Sequence, residues 1–219
     1  GLNITLPLKA EAFEIADTLD EDSKNCQAVN TLKRVNGKLR GFNTDGVGFL
    51  ADLEAWHGIA VKDKRILLLG SGGAAKGIVR PLLSREPKTL VIANRTHASA
   101  RALADQLNSE NFIGIEGLGL DDTQLMKKRF DIIINATSAG HKNSEMPIDG
   151  DLLEDAICYD LSYGPAASFF RWAESSGAKR SIDGLGMLIE QAAKSYEIWT
   201  GFSPNTESVR ASIRNDLGI

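Results

Sequence analysis

The sequence predicts an α/β fold: a doubly wound parallel sheet covered by helices on both faces, with a second, smaller α/β unit built from the two ends of the chain. Three observations predict it. Between residues 65 and 161, short apolar runs alternate with helical stretches, and the runs lack the polar alternation of half-exposed strands. One of these runs leads directly into a glycine-rich turn and a helix. The residues before 46 and after 184 follow other patterns, a hairpin signal on one side and two closing helices on the other.

Taken in order, residues 7–19 carry helical spacing, with Leu8, Ala12, Ile15, Ala16 and Leu19 on one side and Pro7 suited to a first turn. Asn36-Gly37 joins the runs 29–35 and 38–43 and favours a two-residue hairpin turn. That register pairs Val35 with Lys38 and sets Asn30 opposite Asn43 at the open end, beside Thr44 and Asp45. Residues 46–57 read as a helix burying Val47, Leu50, Leu53 and Trp56 or Ala51, with Asp45 placed to cap it. Arg65–Leu69 is a fully apolar strand core, followed by a helix to about Ser84 that Pro81 should shorten or kink. Further strands are expected at 89–93, 113–116, 131–136 and 156–161, with a helix over 97–108. After Asp183-Gly184, the residues Leu185, Leu188, Ile189, Ala192, Tyr196 and Trp199 mark a helix that Gly201 would end, and a last helix runs over 206–217.

Bulk properties exclude several functions. The 219 residues are 42 % hydrophobic and 25 % charged, with a net charge of −4. Charges of both signs are interspersed, without the basic stripe that nucleic acids or membrane surfaces require. No apolar run approaches the roughly 20 residues that span a bilayer. Cys26 and Cys158 match no metal spacing and no CxxC pattern, and read as reduced thiols of a cytoplasmic protein. No metal is expected, and nothing in the sequence speaks to oligomeric state. The chain opens Gly1-Leu2-Asn3-Ile4-Thr5-Leu6-Pro7, without an initiator Met or targeting signal, which reads as a fragment or a processed product.

The pattern Gly70-x-Gly72-x-x-Ala75, between a strand and a helix, points to a dinucleotide. The first glycine makes the tight turn, the second leaves room for pyrophosphate, and the helix N-terminus offers N–H groups and a positive dipole end. At the tip of the next strand an NAD site would carry an acid for the ribose hydroxyls. This chain has Asn94-Arg95-Thr96 instead, and a guanidinium suits a 2′-phosphate. NADP(H) is therefore expected in a Rossmann-like domain; the competing reading makes Arg95 a solvated loop charge.

Lys9 falls in the first turn of its helix, where one lysine alone means little. Its company raises it: Asn3 and Thr5 precede it, and the hairpin gathers Asn30, Asn43 and Asp45. An ammonium beside a carboxylate can hand a proton to an oxygen that gains charge during hydride transfer to a ketone. Spacing alone does not establish that Lys9 and Asp45 meet.

Seven motifs, in order, carry a family resemblance: Asn3-Ile4-Thr5-Leu6-Pro7-Leu8-Lys9, Ala28-Val29-Asn30-Thr31, Asn43-Thr44-Asp45-Gly46-Val47-Gly48, Gly70-Ser71-Gly72-Gly73-Ala74, Asn94-Arg95-Thr96, Asn135-Ala136-Thr137-Ser138 and Asp183-Gly184-Leu185-Gly186-Met187-Leu188. Together they resemble the shikimate dehydrogenase family across the whole chain. The resemblance implies reversible reduction of 3-dehydroshikimate to shikimate by NADPH, in the cytoplasm, on the way to aromatic amino acids. It implies Lys9 as the catalytic acid/base and Asp45 as its partner and a ligand of a substrate hydroxyl. Thr5, Asn30, Tyr163 and Gln191 match further substrate positions. Gly70, Ser71, Gly72, Gly73, Ala74, Asn94, Arg95, Thr96, Thr137, Leu161, Gly184 and Met187 match the cofactor side. Gln191 also attracts notice by itself, as an amide on an otherwise apolar helix. Leu161 and Tyr163 follow a strand at the carboxyl edge, where open α/β sheets bind ligands, with plain packing as the competing reading.

The sequence also departs from the family pattern. Leu8 replaces the usual aromatic or His before the lysine, and Leu161 stands where Met is common. Ser99 takes a position that is usually basic, with Arg101 close enough in sequence to substitute. The family's preceding segment, with a Ser-x-Ser motif for the substrate carboxylate, has no counterpart. On that ground residues 1–219 are expected to form a partial substrate domain (1–45 and 185–219) and an NADP-binding domain (46–184), with the active site in the cleft between them. They should hold the cofactor but bind shikimate poorly, with little or no turnover. Two other functions stay open at this point: a dinucleotide-binding module without chemistry, and a variant that also accepts quinate.

Overall fold

The computed structural model describes residues 1–5, 7–110, 112, 114–137, 146 and 148–217. Its elements, in chain order, are β1 (Leu2–Asn3), α1 (Lys9–Ile15), β2 (Thr18–Leu19), α2 (Glu21–Cys26), β3 (Thr31–Val35), β4 (Lys38–Phe42), α3 (Asp45–Leu50), a π-helical turn (Ala51–Trp56), β5 (Arg65–Leu69), α4 (Gly73–Leu83), β6 (Thr89–Asn94), α5 (His97–Ser109), β7 (Ile115–Gly119), α6 (Thr123–Met126), β8 (Ile132–Asn135), β9 (Ile157–Asp160), α7 (Ser168–Ser175), β10 (Arg180–Ile182), α8 (Leu185–Thr200) and α9 (Glu207–Leu217). Short 3-10 turns cover Gly150–Leu153 and Gly164–Ala166.

The chain forms two compact units. One comprises Gly1–Ile59, Lys76–Ser84 and Gly186–Ile219, the other Ala60–Ala75 and Arg85–Leu185. This division differs from a split at residues 45 and 184. Residues 46–59 join the first unit because their glycines lie flush against its other parts. A Cβ on Gly46 would stand 2.3 Å from Pro81 Cγ, and one on Gly48 2.6 Å from the backbone nitrogen of Gln191.

In the first unit, a four-stranded mixed sheet runs β1-β3-β4-β2. The hairpin follows the sequence: Asn36 (φ +50°) and Gly37 (φ +82°) make the turn, and Val35↔Lys38 through Thr31↔Phe42 set the register. Its core gathers Ala12, Val29 and Leu32, with Ile4, Phe13 and Leu19 against them. Two expectations fail here. The helix predicted over 7–19 stops at Ile15, Ala16 turns extended, and Thr18–Leu19 pair in parallel with β4. Leu8 and Ile15 are consequently exposed, not buried. The π-helical turn that follows α3 changes the phase of the buried face beyond Leu50, whereas Val47 is exposed within α3 itself. Phe49, Leu50 and Leu53 point inward, while Val47 and Trp56 do not.

The second unit is a six-stranded sheet in the order β10-β9-β8-β5-β6-β7, with every neighbouring pair parallel. Counted from β5, this is the doubly wound dinucleotide-binding order, with its switch point between β5 and β8. Ile66, Leu67, Leu68 and Leu69 are each 0 % exposed, so both faces of the central strand are covered, as its unbroken apolar run requires. The expected strand over 113–116 lies later, at Ile115–Gly119, and residue 113 lies outside the described residues. Pro81 sits inside α4, which continues only two residues beyond it. Among the described residues, no helix is long and apolar enough to cross a membrane.

Candidate active site

The first unit concentrates its buried polar groups at the open end of the β3–β4 hairpin. Lys9 is the first residue of α1, and its Nζ donates to Asp45 Oδ2 at 2.7 Å. The pair that spacing could not establish therefore exists. Asp45 does not cap α3 with its side chain. It is the first helical residue, behind Thr44, and its carboxylate is turned to Lys9 and to Asn30, whose Nδ2 donates to Oδ1 at 2.8 Å. Asn43 holds the acid from behind: Oδ1 accepts from Asp45 N at 3.0 Å, and Nδ2 donates to Ala28 O at 3.0 Å. Gly77 of α4 lies alongside, and a Cβ there would stand 3.5 Å from Asp45 Cβ.

Asn30 is the hub of this cluster. It is 2 % exposed, and its Oδ1 accepts from Thr44 N at 3.0 Å and from Thr31 Oγ1 at 2.9 Å. Gln191 on α8 joins through Oε1, which accepts from Asn30 Nδ2 at 3.3 Å. Its Nε2 donates to Leu188 O at 2.8 Å. Thr5 stands exposed just before α1, its carbonyl accepting from Leu8 N at 2.9 Å.

Behind the site lies a hydroxyl seam that sequence reasoning missed. Ser195 Oγ meets Thr31 Oγ1 at 2.6 Å and accepts from Asn3 Nδ2 at 3.0 Å. Ser195 and Thr31 are both 0 % exposed, and a buried hydroxyl on an apolar helix face was the available signal.

In the second unit, the glycine turn sits at the switch point. Gly70 adopts φ +104°, and a Cβ on it would approach Ala136 O to 3.0 Å and Thr137 Cγ2 to 3.1 Å. Gly72 and Gly73 face open space, and α4 begins at Gly73 with its first N–H groups unclaimed by the helix itself. Ser71 and Ala74 complete this turn. A pyrophosphate fits such a cradle, since close backbone approach and an α-helix N-terminus favour it. At the tip of β6, Asn94 Nδ2 donates to Thr96 O at 3.2 Å, and Arg95 and Thr96 are exposed ahead of α5. Arg101 lies within 4.0 Å of Asp105 one helical turn on.

Thr137 follows β8, with N and Oγ1 both donating to Asn135 Oδ1, at 3.1 and 2.6 Å. Ser138 of the quoted motif lies outside the described residues. Leu161 N donates to Asn135 O at 3.0 Å, and Gly184 N to Ser162 O at 2.8 Å. Tyr163 is 41 % exposed. Met187, grouped with the cofactor side, stands half-buried on α8 and belongs to the first unit, as do Asn30, Asp45 and Gln191.

Neither thiol enters a site. Burial pushes Cys26 up to about 11 and Cys158 to about 12, leaving both as neutral thiols at neutral pH. Among the described residues, no group of His, Cys, Asp and Glu is arranged to hold a metal.

Three family models match the chain: shikimate dehydrogenase substrate binding domain over residues 1–32, shikimate / quinate 5-dehydrogenase over 54–146, and shikimate 5'-dehydrogenase C-terminal domain over 184–214. A shikimate dehydrogenase (NADP(+)) of Alcanivorax borkumensis is 45 % identical over 98 % of this chain and 77 % of its own length. The crystal structure of an Ael1 enzyme from Pseudomonas putida superposes with a TM-score of 0.87 at 38 % identity, covering 96 % of this chain and 76 % of that one. That of shikimate 5-dehydrogenase from Thermus thermophilus, in complex with NADP(H) and shikimate, gives 0.82 at 33 % identity, over 97 % and 77 %.

Proposed function

The chain belongs to the shikimate dehydrogenase family, and on that premise we propose that it catalyses the NADPH-dependent, reversible reduction of 3-dehydroshikimate to shikimate. The observation that carries the chemistry is the contact of Lys9 Nζ with Asp45 Oδ2 at 2.7 Å, with Asn30 fixing the other carboxylate oxygen. Lys9 delivers a proton from Nζ to the ketone oxygen as it gains charge, and takes the hydroxyl proton in the reverse direction. Asp45 keeps the ammonium in place and accepts from a neighbouring substrate hydroxyl. Asn30 and Gln191 add an amide edge for the remaining hydroxyls, with Thr5 as a further contact.

NADPH, when bound, supplies the hydride. Gly70, Ser71, Gly72, Gly73 and Ala74 would hold its pyrophosphate, and Arg95, with Asn94 and Thr96, would hold the 2′-phosphate. Thr137, Leu161 and Gly184, in the same unit as the glycine turn, would add further contacts to the cofactor. A reducing compartment suits the two buried free thiols, which supports a place in the cytoplasm.

The test is kinetic. Asp45→Asn should raise the KM for shikimate and lower kcat, together costing about 10²-fold or more in kcat/KM, because both the ammonium and the hydroxyl lose their anion. NADP+ affinity should stay as in the wild type. Unchanged shikimate kinetics in Asp45→Asn would remove Asp45 from the site.

A further inference from the structure

Three residues assigned above to the cofactor, Thr137, Leu161 and Gly184, come from segments far apart in the chain, and a single buried carboxylate links them. Asp160 ends β9 and is 1 % exposed. Its Oδ1 accepts from Asn135 Nδ2 at 3.1 Å and from Ser162 N at 3.0 Å, and its Oδ2 from Phe170 N at 3.1 Å. Asn135, at the end of the adjacent β8, is equally buried. It passes the connection on: its Oδ1 receives both Thr137 donors, and its backbone oxygen receives Leu161 N. Ser162, held by Asp160, accepts from Gly184 N through its own carbonyl. Gly184 fits against this loop only as glycine, since a Cβ would stand 2.2 Å from Leu161 O.

A carboxylate is an expensive way to end a buried strand, because desolvation disfavours its charged form. Burial accordingly raises Asp160 above its ordinary range, against the pull of the N–H groups of Ser162 and Phe170 and the Asn135 amide. An apolar side chain would fill the same space without that cost. What an apolar residue lacks is the set of acceptors that holds the Asn135 amide, Ser162 and the start of α7 at once.

We propose that Asp160 is a positioning residue for the cofactor site, which with Asn135 holds Thr137 after β8, the loop after β9 and the turn before α8 in the arrangement that receives the dinucleotide. The proposal rests on the NADP reading above. In Asp160→Asn, an amide N–H group faces a backbone N–H, so the loops lose their register while the apolar strand remains. Asn135→Ala cuts the branch to Thr137 and leaves the two backbone bonds of Asp160 in place, and it serves where the first variant does not fold.

The experiment titrates NADP+ into wild type and both variants at a temperature where circular dichroism shows the folded state, and measures both KM values. The dissociation constant and KM for NADP+ should rise roughly ten-fold or more, with a smaller rise in the KM for shikimate, since Tyr163 follows Ser162. A fall in melting temperature with wild-type NADP+ affinity in the folded variants would make Asp160 merely structural and overturn the proposal. A wild type that binds no NADP+ would bring down the cofactor reading as well, so the two failures are distinguishable.

Discussion

Arg95 stands exposed at the tip of β6, between Asn94 and Thr96, where an NAD site would place an acid. A guanidinium there distinguishes a 2′-phosphate from a 2′-hydroxyl through charge-assisted bonds. Arg95→Ala should therefore weaken NADP+ by about 10- to 100-fold and leave NAD+ affinity nearly unchanged, as read by calorimetric titration. Equal losses for both cofactors would reduce Arg95 to a loop charge. At this scale the sequence was legible where a residue type fixes the backbone, as with the Gly70 turn and the Asn36-Gly37 hairpin. It was illegible for Asn135, Asp160, Thr31 and Ser195. Their importance comes from partners that only the folded chain supplies, such as the 2.6 Å contact of Ser195 with Thr31 across 164 positions of sequence.

Among the elements, α3 and α8 meet at a glycine. Gly48 leaves no gap for a Cβ, which would stand 2.6 Å from Gln191 N and 2.7 Å from Gln191 Cβ. Because two of its three nearest atoms are backbone, α8 must move as a unit. Gly48→Ala should destabilise the protein by about 1–3 kcal/mol and displace Gln191, raising the KM for shikimate more than it lowers kcat. Chemical denaturation and initial rates check both; a variant with wild-type stability and KM would contradict the packing described. The same scale explains the misread elements. The spacing of Leu8, Ala12, Ile15, Ala16 and Leu19 is helical, yet Thr18–Leu19 become a strand because β4 offers them a parallel edge. Local periodicity carries no information about that edge. Likewise, one π-helical turn after Leu50 is enough to rotate Trp56 out of the core, where its Nε1 donates to Glu190 Oε1 at 2.9 Å.

On the scale of the whole molecule, the doubly wound parallel sheet could be read from alternating apolar runs and one glycine turn, while its edge strand β10, three residues long, was not among the expected strands. The limits of the two units could not be read either. Residues 46–59 and 76–84 join the first unit through close contacts such as Gly46 with Pro81, which leave no mark in composition. The proposed reaction is NADP-linked, and Lys9 carries its proton. Its most direct test follows shikimate-dependent reduction of NADP+ by absorbance in the wild type and in Lys9→Ala, with NADP+ affinity titrated on both. Turnover, whatever its absolute rate, should fall by about 10²- to 10⁴-fold in the variant, with NADP+ affinity unchanged. Wild-type turnover in Lys9→Ala, or a wild type in which shikimate fails to reduce NADP+, would contradict this reading.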